Sequence, residues 1–241
     1  VKLDGVYTLI DQNGYWNAVD KNGLDEVTEI AGTRIIPLVI EEEKMQKACE
    51  VAGKETIFRI LPYQKKKAGI ITTGSEVYYH RIEDKFTPVV IDKLKECGVT
   101  EVKQIQCNDD HEMITEAIQT LIEDGSDLIV CTGGMSVDPD DRTPLAIKNA
   151  CTEVVTYGAP VLPGAMFMLA YCEKEGRQIP VMGLPGCVMY AKRTIFDLVL
   201  PRIMCDEKLH EKDFRLLGQG GLCLSCPVCT FPNCGFGKGG Y

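Results

Sequence analysis

From residue 68 onward, short runs of apolar residues alternate with longer stretches in which apolar positions recur every three or four residues. The short runs predict buried strands, and the longer stretches predict helices with one apolar face. Strands are predicted at about 68–72, 102–107, 127–132, 153–157 and 178–183, helices at about 83–97, 111–124, 143–150 and 188–204, and a turn or helix around 163–172. Because alternating strands and helices are typical of a parallel sheet covered on both faces, this region is predicted to be a three-layer α/β/α domain with a mostly parallel sheet.

The segments on either side of this region have different patterns. Two apolar runs, at 6–10 and 15–19, flank Gln12-Asn13-Gly14, which is a strong signal for a β-hairpin. Residues 206–222 are polar and contain glycine, which is typical of a linker. Further elements are predicted near the N-terminus, a strand at 33–40 and a short helix at 41–51. The predicted organisation is a β-rich accessory region at 1–64, an α/β domain at 68–205, and a linker with a Cys-rich tail at 206–241.

Three of the predicted strands run into loops that contain glycine and small polar residues. Glycine lets the backbone adopt positive φ and approach a ligand closely. The loop residues predicted to bind a ligand are Thr73, Gly74, Ser75 and Glu76, then Gly133, Gly134, Ser136 and Asp138, and finally Pro185 and Gly186. The middle loop also contains Asp140 and Asp141 and leads into Thr143 and Pro144, which are predicted as the N-cap and first residue of a helix. Since the carboxyl ends of parallel strands meet at one edge of a sheet, we expect a single phosphate and metal site there.

Composition narrows the classes of partner. The chain of 241 residues has a net charge of −9 and shows no basic stripe, which argues against nucleic acid as a partner. The longest apolar stretch, 161–172, is too short to span a membrane and contains Pro163 and Gly164. No signal peptide is recognised, and the chain starts at Val1 within a predicted strand, so further residues are expected upstream. Eight of the twelve cysteines are scattered and mostly lie in apolar patterns, so we expect reduced thiols and a cytoplasmic location.

The other four cysteines form a separate cluster near the C-terminus. They follow the spacing C-x2-C-x2-C-x4-C and are Cys223, Cys226, Cys229 and Cys234. Thiolates at such spacing bind zinc or an iron–sulfur cluster, and the pattern is close to the C-x2-C-x2-C-x3-C run of bacterial ferredoxins without matching it. The alternative is a flexible tail of reduced cysteines. The sequence does not distinguish between zinc and an iron–sulfur cluster.

Several motifs, in the same order and at similar spacing, resemble those of a known family. They are TTGSEV at 72–77, NDD at 108–110, TGGMSVD at 132–138, DRTP at 141–144 and LPG at 184–186. Through them, residues 68–205 resemble the molybdopterin-binding domain that is shared by molybdopterin adenylyltransferases and molybdopterin molybdenumtransferases. The resemblance implies that the glycine loops hold the pterin and its terminal phosphate. It also implies that Asp109 and Asp141 are the functional carboxylates, serving Mg²⁺ binding and transfer chemistry.

The motifs depart from each of the two enzyme patterns. The molybdenumtransferase pattern usually has Asp at the position of Ser75 and Asn-Pro at Cys187-Val188, and the adenylyltransferase pattern has Thr-Gly at Met135-Ser136. The resemblance therefore supports molybdopterin binding better than either reaction. The reaction it implies is the transfer of molybdenum in molybdenum cofactor biosynthesis or, as the second choice, of the adenylyl group. The small-molecule partners of such an enzyme would include molybdopterin, ATP and molybdate, and it would form a homo-oligomer. The alternative is a non-catalytic molybdopterin carrier, storage protein or sensor.

Overall fold

The computed structural model describes residues 2–3, 6–10, 15–19, 28–32, 38–53, 61–136, 138 and 140–238. The chain divides into two compact units, 1–62 and 63–241. The three-part division of the chain, with a boundary near 205, remains a prediction. Among the described residues, no helix is both long and apolar enough to cross a membrane.

The first unit contains a four-stranded antiparallel sheet and one helix. Its elements are β1 (Lys2–Leu3), β2 (Val6–Ile10), β3 (Tyr15–Val19), β4 (Thr28–Gly32) and α1 (Glu42–Ala52), and the strands lie in that order. The predicted hairpin is confirmed, since Tyr7 of β2 pairs with Val19 of β3. The predicted short helix is confirmed as α1. Of the strand predicted at 33–40, the structure describes only residues 38–40, which are not assigned to a strand. Residues 33–37 lie outside the described residues.

The second unit is built on a six-stranded sheet with the order β6-β5-β7-β10-β9-β8. The strands are β5 (Lys67–Thr73), β6 (Glu101–Cys107), β7 (Leu128–Thr132), β8 (Glu153–Tyr157), β9 (Met168–Lys174) and β10 (Arg177–Leu184). The first four strands of that order are parallel, and β9 and β8 continue the sheet in antiparallel pairing. The α/β fold with a mixed, partly parallel sheet is thus confirmed.

Strand β9 occupies the segment that was predicted as a turn or helix. A tight turn joins it to β10, with φ of 52° at Glu175 and 76° at Gly176. Positive φ at both central residues is typical of the two-residue turn that connects antiparallel strands. The apolar run from Met168 to Cys172 is buried, and a short apolar run of this kind does not by itself distinguish a strand from a helix.

Seven α-helices and two 3₁₀ helices are present among the described residues. Those of the second unit are α2 (Ser75–Tyr78), α3 (Phe86–Glu96), α4 (His111–Glu123), α5 (Thr143–Ala150), α6 (Ile195–Met204) and α7 (Glu211–Leu216), with 3₁₀ helices at Gly186–Met189 and Leu217–Gly220. Asp110 caps α4, accepting hydrogen bonds from the N–H groups of Glu112 and Met113. The predicted helix at 188–204 begins only at Ile195, because Thr194 and Asp197 form a capping box there.

Side chains from opposite faces of the sheet form two separate apolar cores. Ile70 and Val130 belong to the core beneath α3 and α6, whereas the adjacent Ile71 and Ile129 belong to the core beneath α4 and α5. This alternation is the period of two that a strand imposes on its side chains. The sheet is therefore covered on both faces, as the sequence predicts.

The segment predicted as a polar linker, 206–222, is structured and contacts the core. It contains α7, from which Phe214 is buried and stacks on Phe167 with ring centroids 5.9 Å apart. Leu209 is buried in the same core. The polar character of this segment belongs to its exposed side, and its two buried apolar side chains pack into the core of the domain.

Candidate functional site

The glycine loops lie together at one edge of the sheet. In the pairing of β5, β6, β7 and β10, Thr73 is opposite Cys107, Thr72 is opposite Thr132, and Thr132 is opposite Leu184. We call residues 73–76 the first loop, 133–142 the second loop and 184–187 the third loop. Because their strands are parallel and end in register, the three loops share the carboxyl edge, where ligands bind in sheets of this kind.

The first and second loops are packed directly against each other. Gly133 has φ of 86°, and a Cβ atom added there would lie 2.3 Å from the backbone oxygen of Thr73. The hydroxyl of Thr143 donates to the backbone oxygen of Gly133 at 2.9 Å. This contact corrects the predicted N-cap, since Thr143 is the first helical residue of α5, preceded by Arg142, and its hydroxyl holds the second loop instead.

Asp141 closes the second loop on itself. Its Oδ2 accepts a hydrogen bond from the backbone N–H of Ser136 at 2.7 Å, and its own N–H donates to the backbone oxygen of Asp138 at 3.0 Å. The hydroxyl of Tyr157 donates to the backbone oxygen of Ser136 at 3.3 Å. Burial, and to a smaller degree the charge of Asp141, raises the pKa of Tyr157 above its usual value. These contacts hold Ser136 and Asp138 close to the half-buried carboxylate of Asp141.

Asp109 makes a different kind of contact. It follows β6, and its Oδ2 accepts two hydrogen bonds from Ser75, one from the backbone N–H and one from the hydroxyl, both at 2.8 Å. The carboxylate is thus engaged with the first loop, in which Ser75 begins α2. Its contacts are those of a residue that positions this loop.

A cavity of about 670 Å³ opens beside the second and third loops. Six of the site residues predicted at this edge of the sheet line it: Gly133, Gly134, Ser136, Asp141, Pro185 and Gly186. The other predicted site residues at this edge do not line it, and they are Thr73, Gly74, Ser75, Glu76, Asp109 and Asp138. The volume lies within the range of about 300–1,000 Å³ that is usual for small-molecule sites.

Sequence reasoning missed one wall of this cavity. This wall is formed by residues 162–166, which belong to the connection between strands β8 and β9. Phe86 and Met135 also line the cavity. Since Met168 at the start of β9 pairs with Gly183, this connection reaches the same edge as the three loops. A signal was present, because the tripeptide Leu-Pro-Gly occurs at 162–164 as well as at 184–186.

The charge of the cavity wall is unusual for an anion site. Asp141 is the only carboxylate that lines it within the part of the chain that the structure describes, and no lysine, arginine or histidine from that part does so. A phosphorylated ligand would therefore be held by backbone N–H groups or by a metal ion. Among the described residues, no three His, Cys, Asp or Glu side chains are grouped to hold a metal ion on their own.

Asp84, which the sequence did not single out, connects the elements behind the first loop. Its Oδ1 accepts hydrogen bonds from the N–H groups of Phe86 and Thr87, both at 3.0 Å, and its Oδ2 accepts from Thr72 at 3.2 Å and from Gln104 at 2.9 Å. Burial alone would raise the pKa of Asp84, but the hydrogen bonds from Thr87, Phe86 and Thr72 outweigh it and hold the pKa below its usual value. Asp84 thus joins β5, β6 and α3.

Comparison with known proteins identifies similar chains. A family model described as "Probable molybdopterin binding domain" matches residues 69–204. The CinA-like protein of Mycobacterium sp. (strain JLS) is 36% identical over 85 residues, which are 35% of this chain and 20% of that protein. The corresponding protein of Mycobacterium tuberculosis (strain ATCC 25618 / H37Rv) is 35% identical over 85 residues. The chain therefore spans about a fifth of the length of these curated relatives.

Solved structures with a similar fold include proteins named for cofactor synthesis. One is the tungsten cofactor synthesizing protein MoaB from Pyrococcus furiosus, at 22% identity and a TM-score of 0.45, covering 52% of this chain and 84% of that one. Another is a molybdopterin biosynthesis protein from Mycobacterium abscessus, at 16% identity and a TM-score of 0.48, covering 58% of this chain and 92% of that one.

Proposed function

Because this chain belongs to the molybdopterin-binding domain family, we propose that it binds molybdopterin in the cavity beside the second and third loops. The observation that carries this proposal is that the residues predicted from the family's motifs on these two loops, Gly133 and Gly134 with Pro185 and Gly186, line one cavity at the carboxyl edge of the sheet. The cavity is lined mainly by apolar groups and backbone, which suits the flat ring system of a pterin.

The terminal phosphate of the pterin would lie against the second loop. The backbone N–H groups of a glycine loop that leads into a helix suit a phosphate dianion, and α5 begins at Thr143 directly after this loop. Proteins bind Mg²⁺ through one or two carboxylates together with substrate phosphates, without a complete protein cage. Asp141 is the carboxylate that fits this role, and a bound Mg²⁺ would offset the negative charge that phosphate and Asp141 bring together.

The proposed activity is the transfer of molybdenum to adenylylated molybdopterin, with formation of that adenylylated species from ATP as the second choice. In molybdenum transfer, the two pterin sulfurs would replace two oxygens of molybdate, which leave as water with protons from the thiols and solvent. The phosphate anhydride would be hydrolysed to AMP and the pterin phosphate. Asp141 would hold the phosphate end in place through its fixed contact with Ser136, and Asp109 would position the first loop through Ser75.

One observation favours the alternative, a carrier or storage protein that binds molybdopterin without turnover. Of the two carboxylates expected to serve the chemistry, only Asp141 lines the cavity, whereas Asp109 is engaged with Ser75 on the first loop. A site that keeps one of two working carboxylates is suited to binding more than to transfer.

Measuring binding and turnover on the same preparation separates the two functions. Binding of molybdopterin would be followed by anaerobic equilibrium dialysis. Turnover would be followed by AMP released from adenylylated molybdopterin with molybdate, or by adenylylation with ATP and Mg²⁺. For the enzyme, Asp141→Asn abolishes turnover and keeps binding within about tenfold, or about 1.4 kcal/mol. The matched control Asp140→Asn, which changes an exposed neighbour outside the cavity, retains both.

The remaining outcomes are equally decisive. Saturable binding with no turnover in the parent protein establishes the carrier. Turnover of Asp141→Asn equal to that of the parent removes Asp141 from the chemistry. If the folded parent protein binds no molybdopterin, both functions are refuted.

A further inference from the structure

A second cavity, of about 420 Å³, lies between the Cys-rich segment and residues 190–193. All four clustered cysteines line it: Cys223, Cys226, Cys229 and Cys234. Cys223 also lines the larger cavity at the edge of the sheet. The spacing in the sequence and the cavity in the structure are two separate observations that place the same four thiols around one volume.

Both ends of this segment are fixed to the domain. At its start, the N–H of Cys223 donates to the backbone oxygen of Leu162 at 2.8 Å. At its end, the N–H of Gly237 donates to the backbone oxygen of Gly220 at 2.8 Å, and the adjacent Phe236 is buried in the core. The ring centroids of Phe231 and Phe236 are 6.3 Å apart. A segment held in this way presents its thiols to the cavity from a defined backbone, unlike a free tail.

The arrangement of the thiols distinguishes a cluster from a single ion. Cys223 and Cys234 are half-buried, whereas Cys226 and Cys229 are exposed on the loop between them. A structural zinc ion needs four sulfurs at about 2.3 Å from one point. Among the described residues, no three such side chains are grouped around one ion. The four cysteines instead line one cavity of about 420 Å³, which has room for an iron–sulfur core, and a [4Fe–4S] cluster binds one cysteine at each iron.

The charges around the cavity suit an anionic group. A [4Fe–4S] centre with four thiolate ligands is negatively charged in its usual oxidation states. Lys192 and Arg193 line the cavity, and the guanidinium of Arg193 lies 5.1 Å from the ring centroid of Phe231. Arg193 is held in place by Asp197 at 2.8 Å and Glu96 at 2.9 Å. The guanidinium of Arg193, held in a fixed position, and the apolar rings of Phe231 and Phe236 are the surroundings expected for such a centre.

We propose that the four cysteines bind a [4Fe–4S] cluster in this cavity. Each bond from iron to Sγ forms as a thiol gives up its proton to solvent, so that four protons are released for each cluster. The exposed loop that carries Cys226 and Cys229 would close onto the cluster while Cys223 and Cys234 stay in place. Because Cys223 borders both cavities, the cluster would lie next to the proposed pterin site.

The test uses the full chain prepared without oxygen and reconstituted with ferric iron and sulfide under a thiol reductant, which supplies the electrons that bring the iron to the mixed ferric and ferrous state of the cluster. The expected result is about four iron and four sulfide per chain, with broad visible absorption that dithionite bleaches. Cys226→Ser and Cys229→Ser, at exposed positions where folding does not depend on the thiol, should lose most of the iron and the absorption. The matched control Cys49→Ser changes an exposed cysteine of α1 and should bind iron like the parent.

Three results would overturn the proposal. They are zinc at about one equivalent with no bound iron, iron binding that survives both serine variants, and reconstituted protein without iron in which all four thiols still titrate. None of these measurements involves molybdopterin, so the cluster and the proposed pterin function fail or stand independently.

Discussion

Ser75 donates both its backbone N–H and its hydroxyl to the same carboxylate oxygen, Oδ2 of Asp109, at 2.8 Å in each case. This pair connects the first loop to the end of β6, 34 residues further along the chain. Ser75, which lies in one of the family's motifs, thus has a structural partner. That partner is Asp109, one of the two carboxylates predicted to take part in the chemistry.

Removing the hydroxyl of Ser75 should weaken that connection. We expect Ser75→Ala to lower the free energy of unfolding by about 1 kcal/mol, since a hydrogen bond to a charged acceptor is lost while the N–H bond remains. Ser136→Ala is the matched control, because the hydroxyl of Ser136 makes no hydrogen bond with any residue that the structure describes, and it should change stability by less than about 0.5 kcal/mol. Urea denaturation followed by circular dichroism measures both, and equal losses would contradict the role of the hydroxyl.

Replacing Asp84 should destabilise the domain more than replacing an exposed aspartate. Four donors would lose their acceptor in Asp84→Ala, and we expect a loss of about 2 kcal/mol. Asp92→Ala, at an exposed position of helix α3, should stay within about 0.5 kcal/mol of the parent. Similar denaturation midpoints for the two variants would contradict the network.

The same residue predicts a dependence of stability on pH. The folded state holds the pKa of Asp84 below its usual value, so the carboxylate stabilises the fold fully above the pKa of the unfolded chain, about 3.9. That contribution is lost as the pH falls through the lower pKa of the folded state. The difference in stability between the parent and Asp84→Ala should therefore be constant above about pH 5 and shrink below pH 4, and a difference that grows with acid would refute the assignment.

The buried thiols should resist alkylation in the native protein. Burial raises the pKa of Cys107 to about 11, so at pH 8 about one thiol in a thousand is the reactive thiolate. Cys49 on α1 is exposed and serves as the reference. Brief treatment with iodoacetamide followed by peptide mass spectrometry should find Cys49 labelled and Cys107 unlabelled until denaturant is added. Labelling of both at the same rate in native protein would contradict the buried position.

The sequence predicted the fold of the second unit well because its elements have strong local signals. Strands β5, β6 and β7 are short apolar runs, and α4 has its cap at Asp110 and a glycine just after its end, so periodicity located them within a residue or two. Strand β9 was missed because its apolar run is equally compatible with a helix, and only pairing with β10 decides between them. The start of α6 was predicted too early, directly after the glycine and proline of the third loop. The capping box of Thr194 and Asp197 sets the start of the helix at Ile195 instead.

The candidate site was predictable at the level of loops, and less so at the level of residues. Parallel strands bring their carboxyl ends together, which is a topological rule that a sequence can express. The orientation of Asp109 toward Ser75, and the wall formed by residues 162–166, depend on contacts between segments far apart in the chain. No periodicity or spacing within one segment encodes such contacts.

The central claim, that the cavity beside the second and third loops binds molybdopterin, is tested most directly at Gly186. A Cβ atom added at Gly186 would meet no other atom within 4 Å, and Gly186 lines the cavity, so a larger side chain can occupy the ligand's space without straining the fold. The measurement is a titration of molybdopterin by anaerobic equilibrium dialysis against the parent protein, Gly186→Ala and Gly186→Leu, each with an unchanged thermal midpoint. The account predicts saturable binding at one site in the parent, a similar affinity for Gly186→Ala, and an affinity at least about tenfold weaker for Gly186→Leu, or about 1.4 kcal/mol. Equal affinity of the parent and Gly186→Leu, or no saturable binding to the folded parent, would contradict it.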